Sequence, residues 1–334
     1  MFWLWKPKIS VVVLVDRLQR EMPRTLYSLS ASYQQGVKSR DYEVIVVGNT
    51  TLETPRPDLV RDFGPNFHYA PHPGDVNSPT AALNFGISLA RGRHVTMMTD
   101  GACILSPGVL RRNIAATRLA ERPVVFTPAW QLSPDLQSQA VHKGTCPSAD
   151  DRPLESVDWR DNGYRLFEIS SPAGVCRDGW SGPILASQCI TIQRQHYSEL
   201  SGCLPSRQIT GDSSARVDFL RRAIADPAGR AILILGEGTF RRYPSEVATN
   251  RGSGEQPSEQ GAEHPRIGGE AFSAFTPQPI LFGHMPAAAR RFFEPALIAA
   301  SKAERERVCP VPAHLPVAAS ESTPSPNAPQ RKVA

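Results

Sequence analysis

Three short apolar runs, rich in β-branched residues, set the strongest limit on how this chain can fold. They are Ile9–Val15, residues 43–47 and His94–Met98. Because such runs lack polar alternation, they predict strands buried on both faces of a mostly parallel sheet. Segments with helical spacing of apolar residues lie between them, one from Pro23 to Gly36 and one from Ser78-Pro79 to Gly92. This alternation predicts a doubly wound α/β domain, a mostly parallel sheet flanked by helices.

The second half of the chain has a weaker pattern. Residues 130–180 lose periodicity and are rich in Ser, Pro, Asp and Gly, which predicts surface loops around a cleft. Regular structure returns with a strand predicted at 190–192, a helix that ends before Pro227 and a strand at 231–235.

Composition divides the chain into five parts. They are a lead-in at 1–8, a main domain at 9–250, a flexible linker at 251–263, a C-terminal extension at 264–307 and a disordered tail at 308–334. The linker is rich in Gly, Ser, Glu and Gln, and the tail is rich in proline. Within the extension, residues 287–307 have helical composition.

Charge and cysteine usage exclude several classes of protein. The net charge of +5 is modest for 334 residues and the basic residues are spread out, which argues against a nucleic-acid partner. The six cysteines form no Cys-x-x-Cys pair, which argues against a structural zinc site. A reducing, cytoplasmic location fits this usage best.

The N-terminal segment Met1-Phe2-Trp3-Leu4-Trp5 is too short for a signal peptide or a membrane span. Tryptophans beside lysines are typical of peripheral contact with a membrane, here at the inner face. A hydrophobic lead-in packed on the first strand explains the same residues, and the sequence leaves both interpretations open.

Asp100 is the acidic residue that most strongly indicates a binding site. It follows the run His94–Met98, and in open α/β sheets ligands bind beyond the carboxyl ends of strands. The chain has neither a Gly-x-Gly-x-x-Gly motif after the first strand nor a Gly-x-x-x-x-Gly-Lys motif. A phosphate-bearing ligand would therefore need other donors.

Several segments occur in a fixed order along the chain. They read SVVVLVDRLQREMPRTLYSL, YEVIVVGNTT, AALNFGISLARGRHVTMMTDGA and ILSPGVL, followed by fainter matches at SELSGC, VDFLRRA and LGEGTFRR. In this order they resemble the inverting family 2 glycosyltransferases over residues 9–250. The match is moderately specific, because chance rarely reproduces so many short patterns at family spacing. The resemblance implies the A-type glycosyltransferase fold as a single domain with a C-terminal extension, its nucleotide half near 9–128 and its acceptor half near 129–250.

The resemblance also implies an activity. A hexosyltransferase-like enzyme of this family moves a sugar from a nucleoside-diphosphate sugar, with inversion, to an acceptor that the sequence does not identify, whether saccharide, lipid or another small molecule. Asp100 matches the first Asp of the Asp-x-Asp motif, where it would contact the ribose or a Mn²⁺ or Mg²⁺ ion. The nucleotide-sugar-binding residues implied in this way are Asp16, Asn49, Asn84, Asp100 and Arg241.

Asp218, in VDFLRRA, is the candidate catalytic residue. A carboxylate is needed to take the acceptor proton as the sugar is transferred. The spacing equally allows Asp218 to form an ion pair with Arg221 or Arg222 on one helix. Asp212 is the second candidate for this base, although a helix N-cap explains it better.

Three departures from the family pattern affect the predictions of metal binding and of catalytic activity. Gly48 stands where the family carries a base-reading Asp, so that Asp16 would substitute, and Ala102 replaces the second metal-binding Asp. Arg241 stands where related sequences often carry His. Because a guanidinium neutralises a diphosphate bidentately, Arg241 favours donor binding without a metal. A solvated strand end explains this arginine equally well. The alternative is a catalytically degenerate binding or regulatory protein that keeps the fold.

Overall fold

A computed structural model describes residues 6–15, 21–48, 57–73, 79–98, 103–132, 152–173, 187–204, 212–241 and 279–292. Within these ranges the chain is a mixed α/β fold, with one large, mostly parallel sheet flanked by helices and one small sheet. The described helices are α1 Met22–Leu29, α2 Pro57–Arg61, α3 Pro79–Ser88, α4 Val109–Ala116, α5 Arg152–Glu155, α6 Arg194–Glu199 and α7 Asp212–Ala225.

The large sheet contains eight of the strands in the described ranges. They are β1 Ile9–Val15, β2 Tyr42–Gly48, β3 Phe67–Pro71, β4 His94–Met98, β6 Pro123–Thr127, β9 Cys189–Gln193, β10 Arg230–Leu235 and β12 Ile280–Gly283. Their spatial order is β12-β10-β6-β9-β4-β1-β2-β3. All neighbours are parallel except β9, which runs antiparallel to both β4 and β6.

Strand β1 shows why the apolar runs lack alternation. Val12 packs with Leu83 of α3 on one face of the sheet, whereas Val13 packs with Leu26 of α1 on the other face. All seven residues of β1 are buried. A strand covered on both sides needs apolar side chains at every position, which the sequence supplies.

The small sheet continues from the large one. Its strands are β5 Cys103–Leu105, β7 Ala129–Gln131, β8 Ser171–Pro172 and β11 Thr239–Arg241, in the order β5-β11-β7-β8. Three of them follow a strand of the large sheet in the chain, because β5 comes after β4, β7 after β6 and β11 after β10. The chain thus enters the small sheet three times after leaving the carboxyl end of a strand of the large sheet.

The predicted strands are confirmed, but the first helix is shorter than predicted. Helix α1 ends at Leu29 and not near Gly36, because Ser30 is extended with ψ 153° and its Oγ donates to the carbonyl of Tyr27 at 2.7 Å. Tyr33 lies beyond this end, and its hydroxyl donates to the Leu105 carbonyl at 2.8 Å. A long-range contact has replaced the last helical turn.

The prediction of surface loops over 130–180 is wrong where the structure describes that stretch. Trp130 on β7 is 1% exposed, and Phe167, in a 3-10 helix at Gly163–Ile169, is fully buried. Their ring centroids are 5.1 Å apart, and Phe167 lies 4.9 Å from Phe240 of β11. These aromatic contacts build a core without any regular sequence period. Residues 133–151 and 174–186 lie outside the described residues.

The predicted C-terminal extension contributes to the sheet. Strand β12 pairs in parallel with β10 over Ile232↔Ile280 to Leu235↔Gly283, a strand that the sequence analysis missed. The helix predicted from residue 287 begins as a 3-10 turn at Ala287–Ala289, and its remainder after 292 lies outside the described residues. The predicted linker at 251–263 and tail at 308–334 also lie outside them.

Candidate functional site

The strand order reverses at β1, which places a crevice at the carboxyl edge of the large sheet. β1 pairs with β2 on one side, with Val15 opposite Gly48, and with β4 on the other, with Val13 opposite Met98. Ligands of open α/β sheets bind outside the carboxyl ends of strands at such a switch point. Three strand ends that meet there are thus the geometric basis of the candidate site.

Three of the predicted site residues follow these strand ends directly in the sequence. Asp16 comes immediately after β1, Asn49 immediately after β2 and Asp100 two residues after β4. All three lie outside the described residues. The structure therefore shows where β1, β2 and β4 end, which is the point at which the chain continues to each of these three residues.

Arg241 lies on the small sheet, in line with the same edge. It pairs with Cys103 of β5 in antiparallel register and with Gln131 of β7 in parallel register. Opposite residues of an antiparallel pair have Cα atoms about 5 Å apart. Cys103 is the third residue after Asp100, so the half-buried Arg241 is held close to the chain that carries the predicted carboxylate.

A buried carboxylate, Glu237, anchors the turn that leads into β11. Its Oε2 accepts hydrogen bonds from the Ser106 hydroxyl at 2.6 Å and the Gly108 N–H at 3.1 Å, and its Oε1 accepts from the Tyr164 hydroxyl at 2.9 Å. The side chain is fully buried. Burial raises the pKa of Glu237 above its usual value, although these three hydrogen bonds oppose that shift.

Glycines make room for this arrangement. A Cβ on Gly108 would lie 2.0 Å from Glu237 Oε1, and a Cβ on Gly238 would lie 2.3 Å from Trp130. Gly236 has φ +70°, a conformation that other residues rarely adopt. The sequence analysis quoted Gly-Glu-Gly but did not single out Glu237. An acidic residue between two glycines, after a buried strand, is the signal that could have found it.

Asp218 forms the helical ion pair that its spacing allows. Arg222 Nε donates to Asp218 Oδ2 at 2.8 Å, and the Asp218 side chain is 28% exposed. Arg222 also donates to the carbonyl oxygens of Leu200 and, at 2.8 Å, Gly202. The pair therefore fixes the turn at 200–202 against α7.

Asn84 joins the same turn from α3. Its Nδ2 donates to the Cys203 carbonyl at 2.9 Å, and its Oδ1 accepts from the Cys203 N–H at 3.2 Å and from the Tyr197 hydroxyl. The structure thus brings Asn84 and Asp218 to one turn, on the helical layer between α3 and α7. Arg241 lies elsewhere, on the small sheet.

A large cavity among the described residues lies at the opposite edge of the large sheet. Its volume is about 1380 Å³, and its lining includes Lys8 just before β1, His94 at the start of β4 and Gly92 between them. These are the amino ends of parallel strands. Because the switch-point rule concerns carboxyl ends, we assign this groove no part in the crevice.

Metal and membrane criteria give two further findings. Within the described ranges, no group of three or more His, Cys, Asp or Glu side chains is arranged to hold a metal ion. Asp100, the predicted ligand, lies outside those ranges. Among the described helices, none has both the length and the apolar character needed to cross a bilayer.

Comparison with known proteins assigns this chain to no family. No family model matches the chain, and no curated protein matches it. Solved structures similar to it include Staphylococcus aureus TarS 1-349, at 13% identity over 70% of this chain and 60% of that one, and longer TarS, at 12% identity over 71% and 37%, both with a TM-score of 0.45. TarS 1-349 in complex with UDP has 14% identity over 72% and 61%, again with a TM-score of 0.45. The chain therefore spans about 60% of TarS 1-349, and likeness at this level assigns it no activity.

Proposed function

We propose that this chain is a glycosyltransferase with an A-type fold, which transfers a sugar from a nucleoside-diphosphate sugar with inversion at the anomeric carbon. One observation carries the proposal: the strands that lead to Asp16, Asn49 and Asp100 end side by side at the switch point of the sheet. Polar residues that follow three neighbouring strand ends in the sequence suit a site for a ribose, a base and a diphosphate.

In this proposal, different residues bind different parts of the nucleoside-diphosphate sugar. Asp100 contacts the ribose, Asp16 and Asn49 read the base, and Arg241 neutralises the diphosphate without a metal ion. The cross-strand pairing of Arg241 with Cys103 supports this last role, because it holds a guanidinium near the chain that carries Asp100. Mn²⁺ or Mg²⁺ then adds little to donor affinity. Asn84 contributes through α3, by holding the turn at 200–203.

Asp218 is the proposed general base. The acceptor oxygen attacks the anomeric carbon, the bond from that carbon to the diphosphate oxygen breaks, and the acceptor proton passes to the carboxylate. The leaving diphosphate carries away the electron pair, next to Arg241. The ion pair with Arg222 holds the Asp218 carboxylate in place on α7.

A cytoplasmic location is part of the proposal. Cys189 is buried and forms no disulfide, as suits a reducing compartment. The acceptor is a saccharide, a lipid or another small molecule, and the sugar is a hexose by the family resemblance.

Turnover across a panel of nucleotide sugars and acceptors tests the proposal. We expect release of a nucleoside diphosphate by the wild type, and a loss of about 10²-fold in kcat for Asp218→Asn. Arg222→Gln is the matched control, because it breaks the same ion pair but keeps the carboxylate. Nucleotide binding without any turnover would instead establish the degenerate binding protein.

A further inference from the structure

The groove at the amino edge of the large sheet is strongly basic. Six of its lining residues are cationic, namely Lys6, Lys8, Arg91, Arg93, Arg118 and Arg194, whereas Glu121 is the one carboxylate among the lining residues described. A site with this balance attracts negative charge. Asn84, Ser201 and Gly202 also line this groove, but the proposed sugar transfer uses none of its six cations.

Part of this positive charge is neutralised and part is not. Lys8 pairs with Asp41 at 2.7 Å, and Arg91 pairs with the buried Glu43 at 2.6 Å. Arg93 and Arg118 are both exposed. Within the described ranges, neither of them forms an ion pair. The groove therefore keeps a positive excess at its surface.

Exposed leucines lie beside the groove in the sequence. Leu89 is 45% exposed and follows the lining residue Ser88, and Leu119 is 44% exposed and lies between the lining residues Arg118 and Ala120. Leu204, also 44% exposed, lies two residues after Gly202 of the lining. Apolar side chains interspersed with exposed cations are the chemistry of a surface that lies on a bilayer.

The sequence continues the same pattern. Lys6, a lining residue, is preceded directly by Trp3-Leu4-Trp5. Indole rings favour the headgroup region of a bilayer, and lysines beside them favour anionic lipid. We propose that the amino-edge groove, with Leu89, Leu119 and Leu204, docks this protein on an anionic membrane surface.

Two features favour a membrane over a nucleic acid. Single-stranded nucleic acids are held by stacking of bases on exposed aromatic rings. Tyr197 is the aromatic residue among the described lining residues, and it is only 5% exposed. The exposed Leu89, Leu119 and Leu204 also have no role against a phosphate backbone. Strand β1, seven residues long, sets the carboxyl edge roughly 20 Å from this surface, so docking leaves the crevice accessible.

Sedimentation of the full chain with vesicles tests the proposal. The vesicles contain either pure phosphatidylcholine or equal parts of phosphatidylcholine and phosphatidylglycerol. We expect binding to the anionic vesicles alone, weakened by added salt. Removing both unpaired cations with Arg93→Gln/Arg118→Gln should weaken partitioning about 25-fold, since each surface cation contributes about fivefold.

Matched variants separate docking from general charge and from misfolding. Arg61 and Arg160 are exposed and lie outside the groove lining, so Arg61→Gln/Arg160→Gln removes the same charge elsewhere and should change partitioning less than about twofold. Leu89→Ser/Leu119→Ser should weaken binding without changing its salt dependence. Thermal melting establishes that each variant is folded.

Three results would overturn the proposal. They are no binding to anionic vesicles by the folded wild type, equal losses in the groove and control arginine variants, and tighter binding of a single-stranded oligonucleotide with the same dependence on Arg93 and Arg118. The last result would assign the groove to a nucleic acid. Because these measurements need no substrate, their outcome is independent of glycosyl transfer.

Discussion

Glu237 provides the most quantitative prediction of the account. Replacing it with alanine removes the acceptor of two buried hydrogen bonds, from Ser106 and Gly108, and of a partly buried one from Tyr164. The two hydroxyls can rotate, but the Gly108 N–H cannot, and a buried donor without a partner costs about 1–3 kcal/mol. With the lost bonds to a buried carboxylate included, Glu237→Ala should lower the free energy of unfolding by about 4 kcal/mol. That is a large share of the 5–15 kcal/mol typical of a domain.

Glu237→Gln is the matched control, because the amide keeps an oxygen for Ser106 and Gly108. Its free energy of unfolding should lie within about 1 kcal/mol of the wild type. The pH dependence has a definite sign. Because the pKa of Glu237 in the folded protein is raised above 4.5, its stabilising contribution is present below pH 4.5 and is lost as pH rises through the folded pKa. The glutamine variant should therefore gain stability relative to the wild type as pH rises above 4.5.

Urea unfolding followed by circular dichroism measures both variants. A loss below about 1 kcal/mol in Glu237→Ala would refute the inference that this network holds the turn into β11. An equal loss in both variants would refute it differently, because the negative charge and not the hydrogen-bond acceptor would then matter.

Three further predictions concern the helical layer and the amino edge. Arg222→Gln should lower stability more than Asp218→Asn, because it also removes the hydrogen bonds to the Leu200 and Gly202 carbonyls, while only Asp218→Asn lowers kcat strongly; urea unfolding and initial rates compare them. Asn84→Ala should cost about 2–3 kcal/mol in urea unfolding, because it removes the donor to the Cys203 carbonyl and the acceptor of the Tyr197 hydroxyl. Burial lowers the pKa of His94 from 6.5 to about 4, so its contribution to stability is present above pH 6.5 and lost as pH falls toward 4. His94→Gln should remove about 2 kcal/mol of the stability difference between pH 7 and pH 5, measured by urea unfolding; an unchanged difference would contradict the assignment.

The sequence predicts the large sheet well because its strands are buried on both faces. The runs that become β1, β2 and β4 are apolar at nearly every position, which is a local signal that needs no knowledge of partners. The edge strand β12 is only partly buried and four residues long, so the same criterion missed it. Its position depends on pairing with β10, which lies some 50 residues earlier in the chain.

The aromatic core and the site network depend on contacts that are distant in sequence. Trp130, Phe167 and Phe240 meet although no periodicity links them, so the stretch that holds Phe167 looked like surface loop. Glu237 likewise depends on Ser106, which lies 131 residues away. The helical ion pair of Asp218, by contrast, was one of two alternatives that local spacing already offered.

Calorimetric titration with UDP and with GDP, in the presence of a chelator, tests the central claim most directly. The claim is that the crevice beyond β1, β2 and β4 holds a nucleoside diphosphate through Asp100 and Arg241. One of these nucleotides should bind without a divalent cation. Arg241→Gln should weaken it about tenfold or more, whereas Arg61→Gln should bind as the wild type does. Binding that appears only with manganese or magnesium, binding that ignores Arg241, or no binding of either nucleotide would contradict it.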